Sequence, residues 1–343
     1  MPGFARVSAK QAKERFMSRI SKILVVADPT ATEQPAVSRA LDIARILGAR
    51  LEVFACVYDQ YISGEHFFDS RGLEKSRASM VRHTIAALQE MVASLNSEGL
   101  DISYAARWDS PLDEGIVRQC LHTQADMLIK DTHHHPPLKR SLFSNTDWNL
   151  IRTCPCPVLL VKPSTSYPYA HIAAAVDPTH EHDKPAALDN AIIAVAEELA
   201  RETGAEFHIA HTFLPVSAAV CASAVPGAVI YPIDISEEVI EQAHREALTN
   251  LLAQSPRPPD HVHMVAGRTS DVLQDLVAEK DIDLLVMGAV ARNRLKRIFL
   301  GSTAERVLEH LSCDVLVVKP PEFETPVQRE GAQEEMIEVT AAH

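Results

Sequence analysis

Aromatic residues make up only 5% of the 343-residue chain. No apolar run approaches the roughly 20 residues that a membrane-spanning helix requires. The first twenty residues, MPGFARVSAKQAKERFMSRI, lack the apolar centre of a signal peptide and read as a short basic lead-in, so a soluble cytoplasmic protein is the expectation. Positive charge is scarce: 33 Lys and Arg stand against 46 Asp and Glu, for a net charge of -13, which excludes a face-wide nucleic-acid surface. The six cysteines have no framework spacing, and Cys154-Pro155-Cys156 has one residue between its thiols rather than the two of a redox motif. There is no HExxH, no nucleophile elbow with its triad order and no loop ending in Gly-Lys-Ser/Thr. The chain therefore offers no catalytic residue, and a non-enzymatic protein is expected.

What it does contain is a 46% hydrophobic content, long enough in total for two domains with cores of their own. The most informative stretch is 283–320, DLLVMGAVARNRLKRIFLGSTAERVLEHLSCDVLVVKP. An apolar strand pattern ends at Met287-Gly288, a basic loop follows, and Gly301-Ser302-Thr303 precedes a helix with Val307, Leu308 and Leu311 on one face. Backbone N–H groups at such a helix start suit a phosphate, with glycine allowing close approach. The hydroxyls of Ser302 and Thr303 suit simple helix capping equally well. The residues by themselves leave both readings open.

The same stretch occurs earlier, at 126–163, offset by 157 without a gap: Leu295-Lys296-Arg297 falls on Leu138-Lys139-Arg140, and Lys319-Pro320 on Lys162-Pro163. A period of this size means duplication of a whole domain. In the first copy Asp131, His134 and Ser144 stand where the second has Gly288, Ala291 and Gly301, so side chains occupy positions where a phosphate needs bare backbone.

Strand and helix patterns alternate through both copies, which predicts parallel sheets covered by helices on both faces. Each copy opens with an apolar run ending in Asp-Pro-Thr, at Asp28 and Asp177, and a first helix that stops at a glycine, Gly48 or Gly204. The expected boundaries are a lead-in over 1–20, a first domain over 21–163, a linker over 164–170, a second domain over 171–321 and an acidic, flexible tail over 322–343. Asp28 and Asp177 each have a plain role available as turn-formers before proline. Residues 217–233, SAAVCASAVPGAVIYPI, read as an apolar connection that covers its own domain or the other copy, lines a pocket for a lipophilic ligand, or forms a partner surface. His133-His134-His135 and the pair His180 and His182 have no zinc spacing and read as solvated loops, so no metal is required.

The spacing Gly288, two residues, Ala291, nine residues, Gly301-Ser302 resembles the G-2x-G-9x-G-(S/T) nucleotide loop of the universal stress protein family, with Ala291 replacing the middle glycine. With the tandem layout from residue 22 to about 326, the TDW at Thr146-Asp147-Trp148 and a Lys-Pro after each closing strand, the chain is similar to tandem universal stress proteins of the E type. The resemblance implies two flavodoxin-like (Rossmann-like, adenine nucleotide alpha hydrolase-like) α/β domains paired as a pseudo-dimer through their last strands, with further homodimerisation left open. It implies a stress-response regulatory or ligand-binding function with ATP in the second domain only. Asp177 would lie near the base, Met287 and Gly288 at the ribose, and Ala291, Gly301, Ser302 and Thr303 along the phosphates. A carrier of a lipophilic molecule and a ligand-free interaction scaffold are the alternatives.

Overall fold

The computed structural model describes residues 20–31, 33–59, 70–132, 144–163, 165–179, 186–215, 236–255, 257–289, 302–329 and 335–340. The first half runs β1 (Lys22–Val26), α1 (Pro35–Leu47), β2 (Arg50–Val57), α2 (Ser70–Ala93), β3 (Ile102–Trp108), α3 (Leu112–Thr123), β4 (Met127–Asp131), α4 (Asn145–Thr153) and β5 (Val158–Val161). The second repeats it with β6 (His171–Val176), α5 (Ala186–Thr203), β7 (Glu206–Phe213), α6 (Glu237–Leu252), β8 (His261–Ala266), α7 (Thr269–Glu279), β9 (Leu284–Gly288), α8 (Ser302–His310) and β10 (Asp314–Val318). The central strands are apolar on both faces because helices cover both. Ile23, Leu24 and Val25 of β1, and Leu284, Leu285 and Val286 of β9, are completely buried. Gly48, at φ 63°, closes α1 in the left-handed conformation that favours glycine. Gly204 takes the same conformation at the end of α5, at φ 75°.

All described strands join one sheet in the order β11-β3-β2-β1-β4-β5-β10-β9-β6-β7-β8, where β11 is Glu335–Thr340. Each half is parallel within itself, and the order reverses at β1/β4 in the first half and at β6/β9 in the second. The halves meet where β5 and β10 pair antiparallel, with Val315 opposite Leu160 and Val317 opposite Val158. Each strand would otherwise be an apolar edge. Fully burying side chains such as Leu159 and Leu316 contributes roughly 1.5–3 kcal/mol apiece. Two lysines repeat the pseudo-two-fold: Lys162 Nζ donates to the carbonyl of Leu311 beyond α8, and Lys319 Nζ reaches the carbonyl of Leu150 in α4.

Asp314 is the polar hub of this seam. Its carboxylate is fully buried and pairs with Arg39 of α1. It also accepts from the Lys162 backbone N–H at 2.8 Å and from the Tyr169 hydroxyl at 2.7 Å. The Arg39 guanidinium lies 4.8 Å from the ring centres of both Tyr167 and Tyr169 in the connecting segment and donates to the carbonyl of Thr165. The connection between the halves is thus tied into their common interface.

The C-terminal stretch departs from the flexible tail expected of it. Glu335–Thr340 pairs antiparallel with β3, from Glu335 opposite Trp108 to Thr340 opposite Ser103. An uncovered β3 would present a row of unpaired N–H and C=O groups, and a six-residue EMIEVT segment has enough β-branched and apolar character to take them. The average composition of the acidic tail hides that short run. β3 itself extends two residues past its apolar pattern, through Arg107 and Trp108, and β11 pairs along the extension. No described helix is long and apolar enough to cross a membrane.

Candidate functional site

In an open parallel sheet the ligand crevice lies beyond the carboxyl ends of the strands at the point where strand order reverses. In the second half that point is β6/β9, where Ala174 pairs with Val286. Continuing that register sets Val176 beside Gly288 and Asp177 just beyond, so two of the sequence-derived residues meet at one strand end. The Asp177 carboxylate accepts from the Thr179 hydroxyl at 3.0 Å, and its backbone N–H donates to Asp189 Oδ1 at 3.0 Å. Asp28 makes the same turn in the first half, accepting from the N–H and hydroxyl of Thr30. Turn formation is therefore a role both aspartates fill, and Asp177, half-buried, keeps a carboxylate at the crevice.

Met287 is buried and Gly288 is half-buried. A Cβ on Gly288 would fall 2.8 Å from Leu188 Cδ2 and 3.1 Å from Ile192 Cδ1, so glycine here lets α5 lie close over the end of β9. Ser302 and Thr303 open α8, which gives the loop the helix start it needs for backbone anion binding. Ala291 and Gly301, the basic loop at 292–297, the apolar connection at 217–233 and the histidine loops at 133–135 and 180–182 lie outside the described residues.

The first half has filled the corresponding places with its own groups. Asp131, which takes the position of Gly288, accepts from the backbone N–H of Ala36 in the first turn of α1 at 2.5 Å. Burial pushes the Asp131 carboxyl up to about 6, against the opposing pull of that N–H and of Lys130. Ser144, in the place of Gly301, caps α4: its hydroxyl accepts from the Asp147 N–H, and the Asp147 carboxylate accepts from the Ser144 N–H at 2.8 Å. Lys130 Nζ is 2.8 Å from the other oxygen of Asp147. The starts of α1 and α4 are thus each met by an internal carboxylate. At the matching positions the second half has Met287, Gly288, Gly301 and Ala304 in place of Lys130, Asp131, Ser144 and Asp147.

Three groups at the second crevice were not legible from the pattern. Asp189 is completely buried in α5 and holds the Asp177 backbone, but the residues inserted between strand and helix obscure the match with Gln34, which bonds the Asp28 backbone in the first half. His211, buried near the end of β7, bonds the Val176 carbonyl at 3.1 Å through Nδ1 and His244 at 2.8 Å through Nε2. Phe213 stacks on His244, with ring centres 4.9 Å apart. The available signal was the histidine pair His208 and His211 within one strand pattern, EFHIAHTF. Elsewhere, Cys154 and Cys156 are joined by Cys120 of α3, with Cys154 Sγ 3.8 Å from Cys120 Sγ and 3.5 Å from Cys156 Sγ. That proximity comes from tertiary packing, which the spacing of the pair does not reveal.

The two aspartates that open the repeated stretch are structural. Asp126 accepts from the Ser21 and Lys22 N–H groups, and Asp283 from those of Ala170 and His171, so each carboxylate ties the entry of the neighbouring first strand.

Comparison with known proteins agrees with this architecture. The profile of the universal stress protein family matches residues 19–162 and again 168–319. Universal stress protein E of Escherichia coli (strain K12) is 27% identical over 320 residues, covering 93% of this chain and 100% of that protein. Universal stress protein E of Photorhabdus laumondii is 27% identical over 314 residues, covering 91% and 99%. Among solved structures, a putative universal stress protein from Pseudomonas aeruginosa UCBPP-PA14 superposes with a TM-score of 0.68 at 27% identity, covering 90% of this chain and 96% of that one.

Proposed function

The chain belongs to the universal stress protein family, and we propose that it is a non-catalytic stress-response regulator that binds ATP in its second domain alone. One observation carries this reading: the four groups with which the first domain satisfies its own helix starts, Lys130, Asp131, Ser144 and Asp147, are Met287, Gly288, Gly301 and Ala304 in the second. A helix start that meets no internal carboxylate is suited to an external one or to a phosphate. In this reading Asp177 faces the base, Met287 and Gly288 border the ribose, and Ala291, Gly301, Ser302 and Thr303 follow the phosphates. His211 and Phe213, beyond the neighbouring strand, bound the base side. In this reading the ligand acts as a signal rather than a substrate.

Calorimetric titration of ATP into the purified protein, with Gly301→Asp in parallel, tests this. Binding by the wild type that disappears in Gly301→Asp is the expected result. Equal binding by both proteins, or by neither, overturns it. Release of inorganic phosphate from bound ATP at a turnover rate would overturn the non-catalytic part.

A further inference from the structure

At the opposite, amino-terminal end of the second domain's strands, three ligand-type atoms converge. His171 opens β6, Glu206 opens β7 directly opposite it, and His208 follows two residues on, on the same face as Glu206. His171 Nδ1 is 3.4 Å from His208 Nε2 and 3.6 Å from Glu206 Oε2, and His208 Nε2 is 3.7 Å from the same oxygen. A point equidistant from all three lies about 2.1 Å from each, the length of a zinc bond to nitrogen or oxygen, roughly 2.0–2.2 Å.

The surroundings have the form of an outer ligand shell. His263 Nε2, on the adjacent β8, stands 3.0 Å from His208 Nδ1, so the ring nitrogen not facing the triangle is engaged. His261 Nε2, also on β8, is 3.0 Å from Glu206 Oε2. Metal-bound histidines and carboxylates are regularly oriented by such partners. His208 is buried, His171 half-buried and Glu206 exposed, which leaves one side of the triangle open to solvent. A hydrogen-bonded surface network would explain some of these contacts, but not why three imidazoles, one from each of three strands, surround a single carboxylate.

We propose that His171, Glu206 and His208 bind a divalent first-row transition metal, Zn²⁺ above all, with His261 and His263 as supporting partners. Two imidazoles and one carboxylate with an open fourth position match zinc's preference for nitrogen and oxygen ligands in tetrahedral array. The ion would fasten β6 to β7 and, through the histidines of β8, steady the strand that ends the sheet on that side.

The test is calorimetry of Zn²⁺ into chelator-treated full-length protein, together with the absorption spectrum of one equivalent of Co²⁺. The expected result is one tight site per chain, weakened at least about tenfold in each of His171→Ala and Glu206→Gln. Both replace accessible side chains, so their folding is checked by circular dichroism, and His171→Cys serves in place of a variant that does not fold, shifting the Co²⁺ spectrum by adding a thiolate. The wild-type Co²⁺ complex should lack a thiolate charge-transfer band. Absence of tight binding, unchanged affinity in either folded variant, or a thiolate band in the wild type would overturn the proposal. The last outcome would move the ion to Cys120, Cys154 and Cys156.

Discussion

The two domains share a strand order and a helix plan, and they differ in what stands at the helix starts facing the crevice. In the first, Asp131 meets the N–H of Ala36 and the Ser144–Asp147 pair closes α4, with Lys130 alongside. In the second, methionine, glycine and alanine hold those positions, and among the described residues Asp177 and Asp189 at the strand end serve the turn after β6. In the reading proposed above, duplication left one copy with internal groups at these helix starts and the other open to an anion of the kind a phosphate supplies. The difference is chemical rather than topological: a few side chains decide it while the sheet is unchanged.

The largest effect is expected at the seam that makes the two copies one body. Asp314→Ala leaves Arg39 buried without its carboxylate, and breaking a buried pair of this kind costs about 3–5 kcal/mol. Urea unfolding should show the loss as a lower midpoint. An unchanged midpoint would mean that the hub does not hold the domains together.

Asp131 gives a pH-dependent contrast between the copies. Its carboxyl is pushed up to about 6 from the ordinary 3.8, so its contribution to folding is fully present below about pH 4 and is lost as pH rises through 6. At neutral pH it is mostly ionised, as a group standing in for an anion should be. A rise of this size corresponds to roughly 3 kcal/mol. Urea midpoints of wild type and Asp131→Asn at pH 4 and pH 7 should therefore shift in favour of the variant by up to that amount at the higher pH. A pH-independent difference would contradict the burial of this carboxylate.

The sheet's two ends differ as well. Stopping the chain after residue 330 removes β11 and uncovers β3, for a loss of about 2 kcal/mol: backbone hydrogen bonds contribute ~0.5–1.5 kcal/mol each, and the ordering of six residues offsets part of that. Concentration-dependent association in sedimentation should accompany it, since an open edge invites pairing. The smallest effect is that of Gly288→Ala, about 1 kcal/mol, because the new methyl meets the flexible ends of Leu188 and Ile192 rather than backbone.

Much of this was written in the residues, and the reasons for the exceptions are physical. Apolar runs such as KILVV and DLLVMG announced buried parallel strands because helices cover both their faces. The gapless repeat at offset 157 exposed the Asp131 and Ser144 substitutions before any coordinate did. The partners of those groups were not legible: that Asp131 reaches Ala36, 95 residues away, is decided by how α1 packs over β4. The convergence of His171, Glu206 and His208 was hidden for the same reason, since strand register places residues 35 positions apart side by side. β11 escaped because its six residues are diluted in an acidic tail.

The most direct measurement of the central contrast is the number of ATP molecules bound per chain at saturation, by equilibrium dialysis of wild type and Gly301→Asp. One per chain, falling to none in Gly301→Asp, is the predicted result. Two per chain, or one retained by Gly301→Asp, would place nucleotide in the first domain and contradict the account.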